Sequence, residues 1–161
     1  MANQSLEILK LNLSVSRIIN APPERVFDIY SDLRGATDNL SGVHSLEVLT
    51  DGPVAKGTRF RETRIHFGHK TSEILEVTAF EPPVMFQVEC RSHGAHCTHI
   101  FSFTEQQGKT LVELDFKAEP ITRFARLMSA FSFLMTGPMK KCSEQDLDDL
   151  QRLAEANNPV S

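Results

Sequence analysis

Two short polar turns, His93-Gly94 and Gln107-Gly108, flank one strand-like segment, and the strand pairings they dictate agree. A two-residue turn at Gln107-Gly108 sets Phe103 opposite Val112, Phe101 opposite Leu114 and His99 opposite Phe116. A two-residue turn at His93-Gly94 sets Phe86 opposite Phe101, Val88 opposite His99 and Cys90 opposite Cys97. Both registers send Cys97, His99, Phe101 and Phe103 to one face and leave Thr98, Ser102, Thr104, Glu113, Asp115 and Lys117 for water. A one-residue slip in either hairpin would invert the shared strand, so the agreement predicts an antiparallel sheet with one apolar face.

The same alternation extends the sheet in both directions. Strands are predicted over 43–50, 57–67, 70–80, 84–92, 97–105 and 109–118, separated by turn residues. Near the N-terminus, Leu9, Leu11, Leu13 and Val15 alternate with polar residues and predict a further strand. Asn20 is placed to cap the next element, and Pro22-Pro23 is tolerated in a first helical turn, whose amides lack intrahelical partners. Val26, Phe27 and Tyr30 then share one face of a helix of about two turns. Asp32 to Gly42 reads as a second short helix or an irregular crossing.

After Pro120 the period changes from two to between three and four. Phe124, Leu127, Met128, Phe131, Leu134 and Met135 form a broad apolar stripe, continued by Met139, Leu147, Leu150 and Leu153. One straight helix from 121 to 155 would be about 50 Å long, too long for a chain of this size. A bend or break is therefore expected at Gly137-Pro138.

The chain has 161 residues, room for a single domain over 1–161, and no repeat or linker interrupts it. Its net charge of −4 gives no basic stripe, which argues against a nucleic-acid partner. No run of about 20 apolar residues predicts a membrane span. Met1 to Lys10 lacks the pattern of a signal peptide, and three cysteines fit a reducing compartment better than a disulfide framework. A cytoplasmic location is the expectation, with a homodimer left open.

Several local segments resemble one family in order and spacing. They are Ile19-Asn20-Ala21-Pro22-Pro23-Glu24-Arg25-Val26-Phe27, Ser31-Asp32, Gly42-Val43, Gly57-Thr58-Arg59-Phe60, Phe80-Glu81-Pro82-Pro83 and Gly108-Lys109-Thr110-Leu111-Val112. Over residues 8 to 155 the chain resembles the START-related lipid-transfer and polyketide-cyclase superfamily (SRPBCC). The resemblance implies an α+β helix-grip fold: about seven curved antiparallel strands around a long C-terminal helix, with two short helices after the first strand. It also implies a cavity between sheet and helix that takes a small hydrophobic ligand. These segments are strand ends and turns, so they mark a fold and leave the reaction open.

Phe60, Val88, Cys90, His99, Phe101, Phe116, Phe124, Met128 and Phe131 are expected to line that cavity, joined by Glu62 and Arg64 if Phe60 faces inward. His99 is the leading polar candidate: an imidazole among phenylalanines orients a carbonyl or hydroxyl, or is a core histidine bonded to a neighbour. The competing account of Glu62 and Arg64 puts them at the open end of the sheet, with Arg64 paired across the strands to Glu73. Cys90, Cys97 and His99 converge near a hairpin end, yet their spacing lacks paired metal-ligand motifs, so reduced cysteines in an apolar wall are expected. Asp28, Asp32, Asp38 and the acidic run Glu144 to Asp149 read as solvated charges. No catalytic set, cofactor or metal is assigned. Three functions stay open: binding or transfer of a small hydrophobic molecule, a cyclase or dehydratase acting on a polyketide-like substrate, and a protein-interaction module of the chaperone-activator type.

Overall fold

Alternation of apolar and polar residues builds most of the molecule. In the computed structural model, which describes residues 10–66, 68–128 and 133–156, seven strands form one antiparallel sheet. They are β1 (Leu11–Ile19), β2 (Val43–Val48), β3 (Arg59–His66), β4 (His69–Glu81), β5 (Met85–Ser92), β6 (Ala95–Gln106) and β7 (Lys109–Pro120). Helices α1 (Pro23–Ser31) and α2 (Ala36–Asn39) cross between β1 and β2, and α3 (Arg123–Met128) and α4 (Phe133–Glu155) close the chain. The strand order β1-β7-β6-β5-β4-β3-β2 makes β2 to β7 a meander and brings β1 back beside β7.

Both predicted hairpin registers are present. His99 lies opposite Val88 on β5 and Phe116 on β7, and Phe101 lies opposite Phe86 and Leu114. Each turn has two consecutive residues with positive φ, His93-Gly94 at 49° and 78° and Gln107-Gly108 at 52° and 79°. That conformation matches the twist of the flanking strands and favours glycine in the second place. Register shifts between Val43 and Ser45 on β2 and between Val77 and Ala79 on β4 interrupt the ladder. Irregularities of this kind bend strands, and here both fall in the β2–β4 half of the sheet.

The core lies where α1 and the C-terminal half of α4 meet the sheet. Ile19, Val26, Phe27, Val77, Val112, Leu147, Leu150 and Ala154 are all essentially inaccessible to solvent. Phe27 is wedged edge-on between Phe80 and Phe103, each centroid 5.3 Å away. Polar groups secure the same region: the buried Thr110 hydroxyl donates to the Ala21 carbonyl at 2.7 Å. The Arg25 guanidinium donates to the carbonyls of Ala154 at 2.7 Å and Leu153 at 3.2 Å, satisfying the last turn of α4.

The helical parts differ from the sequence expectation in two places, and of the bend or break expected at Gly137-Pro138 the break is absent. Pro22, not Asn20, occupies the cap position of α1 and makes no side-chain cap bond, while the Asn20 amide donates to Glu155. Gly137-Pro138 does not end a helix: α4 continues through Pro138, which forgoes a single hydrogen bond, that to Leu134. The described members of the apolar stripe of 124–135 are not what the sheet grips. Phe124, Leu127 and Leu134 are 72%, 70% and 62% exposed, and the gripped face is that of Leu147, Leu150 and Ala154.

Leu150→Ala should therefore destabilise the protein by about 2–5 kcal/mol, the cost of deleting a large aliphatic group from a close-packed site. Leu134→Ala, on the exposed part of the same helix, should change stability by less than about 0.5 kcal/mol. Urea denaturation of the two variants checks the contrast.

Candidate functional site

Beyond Leu147, toward the N-terminal half of α4, sheet and helix separate and leave a partly open cavity of about 550 Å³ between them. β3, β5, β6 and β7 supply its apolar walls with Phe60, Val88, Phe101, Phe116 and Leu114, and α4 supplies Pro138, Met139 and Cys142. Period-two alternation puts every second side chain of these strands on the concave face, which is why residues distant in sequence share one wall. Tyr30 reaches in from α1 and stacks on Phe101 with ring centroids 4.1 Å apart.

An ion-pair cluster crosses this interior. Arg64 on β3 binds Asp146 on α4 through two parallel hydrogen bonds, Nη1 to Oδ1 at 3.0 Å and Nη2 to Oδ2 at 2.9 Å. Its Nε donates to Glu62, and Nη1 also lies 3.5 Å from Cys142 Sγ. The side chains of Arg64, Glu62 and Asp146 are 15%, 18% and 8% exposed. Burial opposes the guanidinium's charge, yet the carboxylates of Asp146 and Glu62 hold Arg64 protonated well above its ordinary range. Burial pushes the Asp146 carboxyl up against the pull of Arg64. Gly42 permits this packing, because a Cβ there would sit 2.9 Å from Arg64 Nη1 and 3.5 Å from Asp146 Oδ1.

Two aromatic polar side chains face the cavity without a hydrogen-bond partner among the described residues. They are the Tyr30 hydroxyl and the His99 imidazole, whose ring packs 4.7 Å from Phe116. Burial, then the negative charge of Asp146, raises Tyr30 well above the usual phenol range, so it remains a neutral donor. Burial, then the positive charge of Arg64, lowers His99 to about 4. At neutral pH this imidazole is uncharged, with one nitrogen donating and the other accepting.

Of the residues expected from sequence, Phe60, Glu62, Arg64, Val88, His99, Phe101 and Phe116 all lie on the cavity wall. Cys90 does not line it: on the same strand face as Val88 but buried, its Sγ lies 3.6 Å from Glu73, and it is Cys97 opposite it that lines the cavity. Contact with Cys97, burial and the Glu73 charge push the Cys90 thiol up, so it stays protonated, and Cys90 and Cys97 are not bonded to each other. Phe124 points to solvent, because α3 turns Ala125 toward the cavity and its neighbours outward. The side chain of Met128 and all of Phe131 lie outside the described residues.

Arg64 does not pair with Glu73; Glu62 stands opposite Glu73 across β3 and β4, and Glu73 instead accepts from Ser92. The acidic run of α4 is not uniformly solvated, since Asp146 is 5% and Asp149 6% exposed, with Asp149 accepting from Ser41. Tyr30, Glu73, Cys142 and Asp146 are site residues the sequence reading missed. Asp146 had a signal: positions 139, 143, 146 and 150 follow the spacing of the buried stripe and run straight through it. Among the described residues, no cluster of His, Cys, Asp or Glu is arranged to hold a metal ion.

A family model described as polyketide cyclase/dehydrase and lipid transport matches residues 10–155, and the chain belongs to that family. Among solved structures, TTHA0849 from Thermus thermophilus is 25% identical with a TM-score of 0.75, covering 92% of this chain and 100% of its own. The Zhui aromatase/cyclase from Streptomyces sp. R1128 is 14% identical with a TM-score of 0.72, covering 93% of this chain and 99% of its own. A START superfamily protein from Mycobacterium smegmatis is also 14% identical with a TM-score of 0.72, covering 91% of this chain and 99% of its own. Comparison with curated proteins finds none that matches. The fold is the helix grip of the SRPBCC superfamily. Family and fold support hydrophobic-ligand binding or polyketide-cyclase-like chemistry. Among the described residues, no helix is long and apolar enough to cross a membrane.

Two outcomes follow from the charged and neutral groups of this wall. Asp146→Ala should cost about 3 kcal/mol in chemical denaturation, because it leaves a buried guanidinium with Glu62 alone. His99 has a folded pKa of about 4, below its ordinary 6.5. Between those values the unfolded chain binds a proton here that the folded protein does not, so stability falls as pH drops through this window. The loss amounts to about 3 kcal/mol at most. His99→Phe should lose measurably less stability than the wild type between pH 7 and pH 4.

Proposed function

We propose that this member of the polyketide cyclase/dehydrase and lipid transport family binds one small, predominantly apolar molecule and orients it by hydrogen bonds to Tyr30 and His99. One observation carries the reading: a mainly aromatic and aliphatic cavity of about 550 Å³ into which the neutral Tyr30 and His99 side chains project without partners among the described residues. Small-molecule sites commonly measure about 300–1,000 Å³ and combine apolar walls with a few convergent polar groups. The reading treats residues 1–161 as one ligand-binding unit.

Cyclase or dehydratase action on a polyketide-like substrate is the second reading. It is favoured by a phenol donor and an imidazole acceptor sharing one apolar space. Two features weigh against it. His99 is neutral at pH 7, which deprives it of the charge of a strong proton donor. Arg64 is committed to Asp146 and Glu62 and is poorly free to act on a substrate.

Titration with N-phenylnaphthylamine, an uncharged probe whose emission rises in apolar surroundings, tests the binding reading. Saturable enhancement at one probe per chain is expected; absence of saturation overturns it. His99→Phe should change probe affinity by less than about tenfold, or 1.4 kcal/mol. With a polyketide-like substrate, a loss of turnover of roughly 10²–10⁴ at retained binding would make the cyclase reading the correct one.

A further inference from the structure

The ionisable groups on the cavity wall are unevenly balanced. Glu62, Glu73 and Asp146 all line it, whereas Arg64 is the one lysine or arginine among the described lining residues. That cation is also nearly saturated: of five N–H donors, Nε serves Glu62, Nη1 serves Asp146 and approaches Cys142, and Nη2 serves Asp146. At most one N–H is left for a ligand, so the two parallel bonds by which arginine holds a carboxylate cannot form.

One of the carboxyl groups, Glu62, is under-used by contrast. Glu62 and Glu73 are directly opposed across β3 and β4 on the concave side, an arrangement of like charges that disfavours strand pairing. Arg64 offsets the first of them, and Ser92 and Cys90 donate to the second. No described residue donates to Glu62 Oε2. Tyr30 and His99 leave a hydroxyl and an imidazole facing the same space. A ligand group that donates hydrogen bonds or carries positive charge would relieve the opposed pair, and an anion would add to the repulsion.

We propose that the polar end of the cavity, formed by the opposed Glu62 and Glu73 with the nearly saturated Arg64 between Glu62 and Asp146, selects apolar ligands bearing an amine or hydroxyl and rejects carboxylates. The inference rests on the ligand-binding reading above and specifies its ligand class: amphiphiles whose head group is a hydrogen-bond donor, neutral or cationic. Fatty acids and other apolar carboxylates are excluded. This discrimination comes from charge placement, since the apolar walls accept either kind of ligand body alike.

The experiment is competition against bound N-phenylnaphthylamine at pH 7 with naphthalene-methylamine, naphthalene-methanol and naphthoic acid, which share a ring body and differ in head group. The amine and the alcohol should each displace the probe at concentrations at least tenfold lower than the acid. In Glu73→Gln, and separately in Glu62→Gln, that ratio should fall toward one as the acid gains affinity. An acid that competes as well as the alcohol in the wild-type protein overturns the selection. A preference that persists unchanged in both variants overturns its assignment to this carboxylate pair. Failure of the probe itself to bind removes the ligand-binding reading instead, so the two failures are distinguishable. The wild-type series decides the selection even if a variant does not fold.

Discussion

The Arg64–Asp146 pair ties the two sides of this molecule together. β1 lies at one edge of the sheet and β3 is next to the other, yet α4 packs on β1 and also binds β3 through Asp146. A flat sheet could not present both strands to one helix, so the grip requires strong curvature. Taking both charges out of water is costly, and here two parallel hydrogen bonds and a second carboxylate compensate the guanidinium. The pair also sets the height of the cavity. Leu147 and Leu150 close the helix onto the core, while Asp146, the residue before Leu147, and Arg64 reach toward each other across the interior. Gly42 leaves room for the guanidinium, which is a physical role for a glycine that sequence alone presents only as a turn residue.

The electrostatic character of the cavity follows from that pair. Because Arg64 is committed to carboxylates, its charge acts at a distance: it helps hold His99 neutral and opposes the forces that raise Tyr30. The wall therefore offers a neutral imidazole and a neutral phenol rather than a charged acid and base. Such groups suit orientation of a ligand better than proton transfer at neutral pH, and this is why the binding reading is preferred over catalysis on a scaffold that accommodates both.

Most of the sheet was legible because strand periodicity is a local property that two hairpins report redundantly. Phe101 is opposite Phe86 on one side and Leu114 on the other, as two turns and simple counting required. Seven of the expected wall residues lie on the cavity for the same reason. The errors cluster in the helical part. A stripe containing Phe124 and Leu127 reads as core from its spacing, yet whether a helix face is buried depends on what packs against it. Asp146 reads as solvated because it is charged, although its helical position is that of a buried residue.

The sequence by itself determined the strands, their registers, the turn chemistry and the inward face of the sheet, because each follows from contacts between residues close along the chain. Tertiary structure alone decided which end of the C-terminal helix is gripped, which carboxylate Arg64 takes and which polar groups lack a partner among the described residues. Those outcomes depend on contacts between segments far apart along the chain, such as Arg64 with Asp146 and Thr110 with Ala21. No local pattern specifies them: the desolvation of a charge, or the burial of a helix face, is settled only when distant segments compete for the same interior.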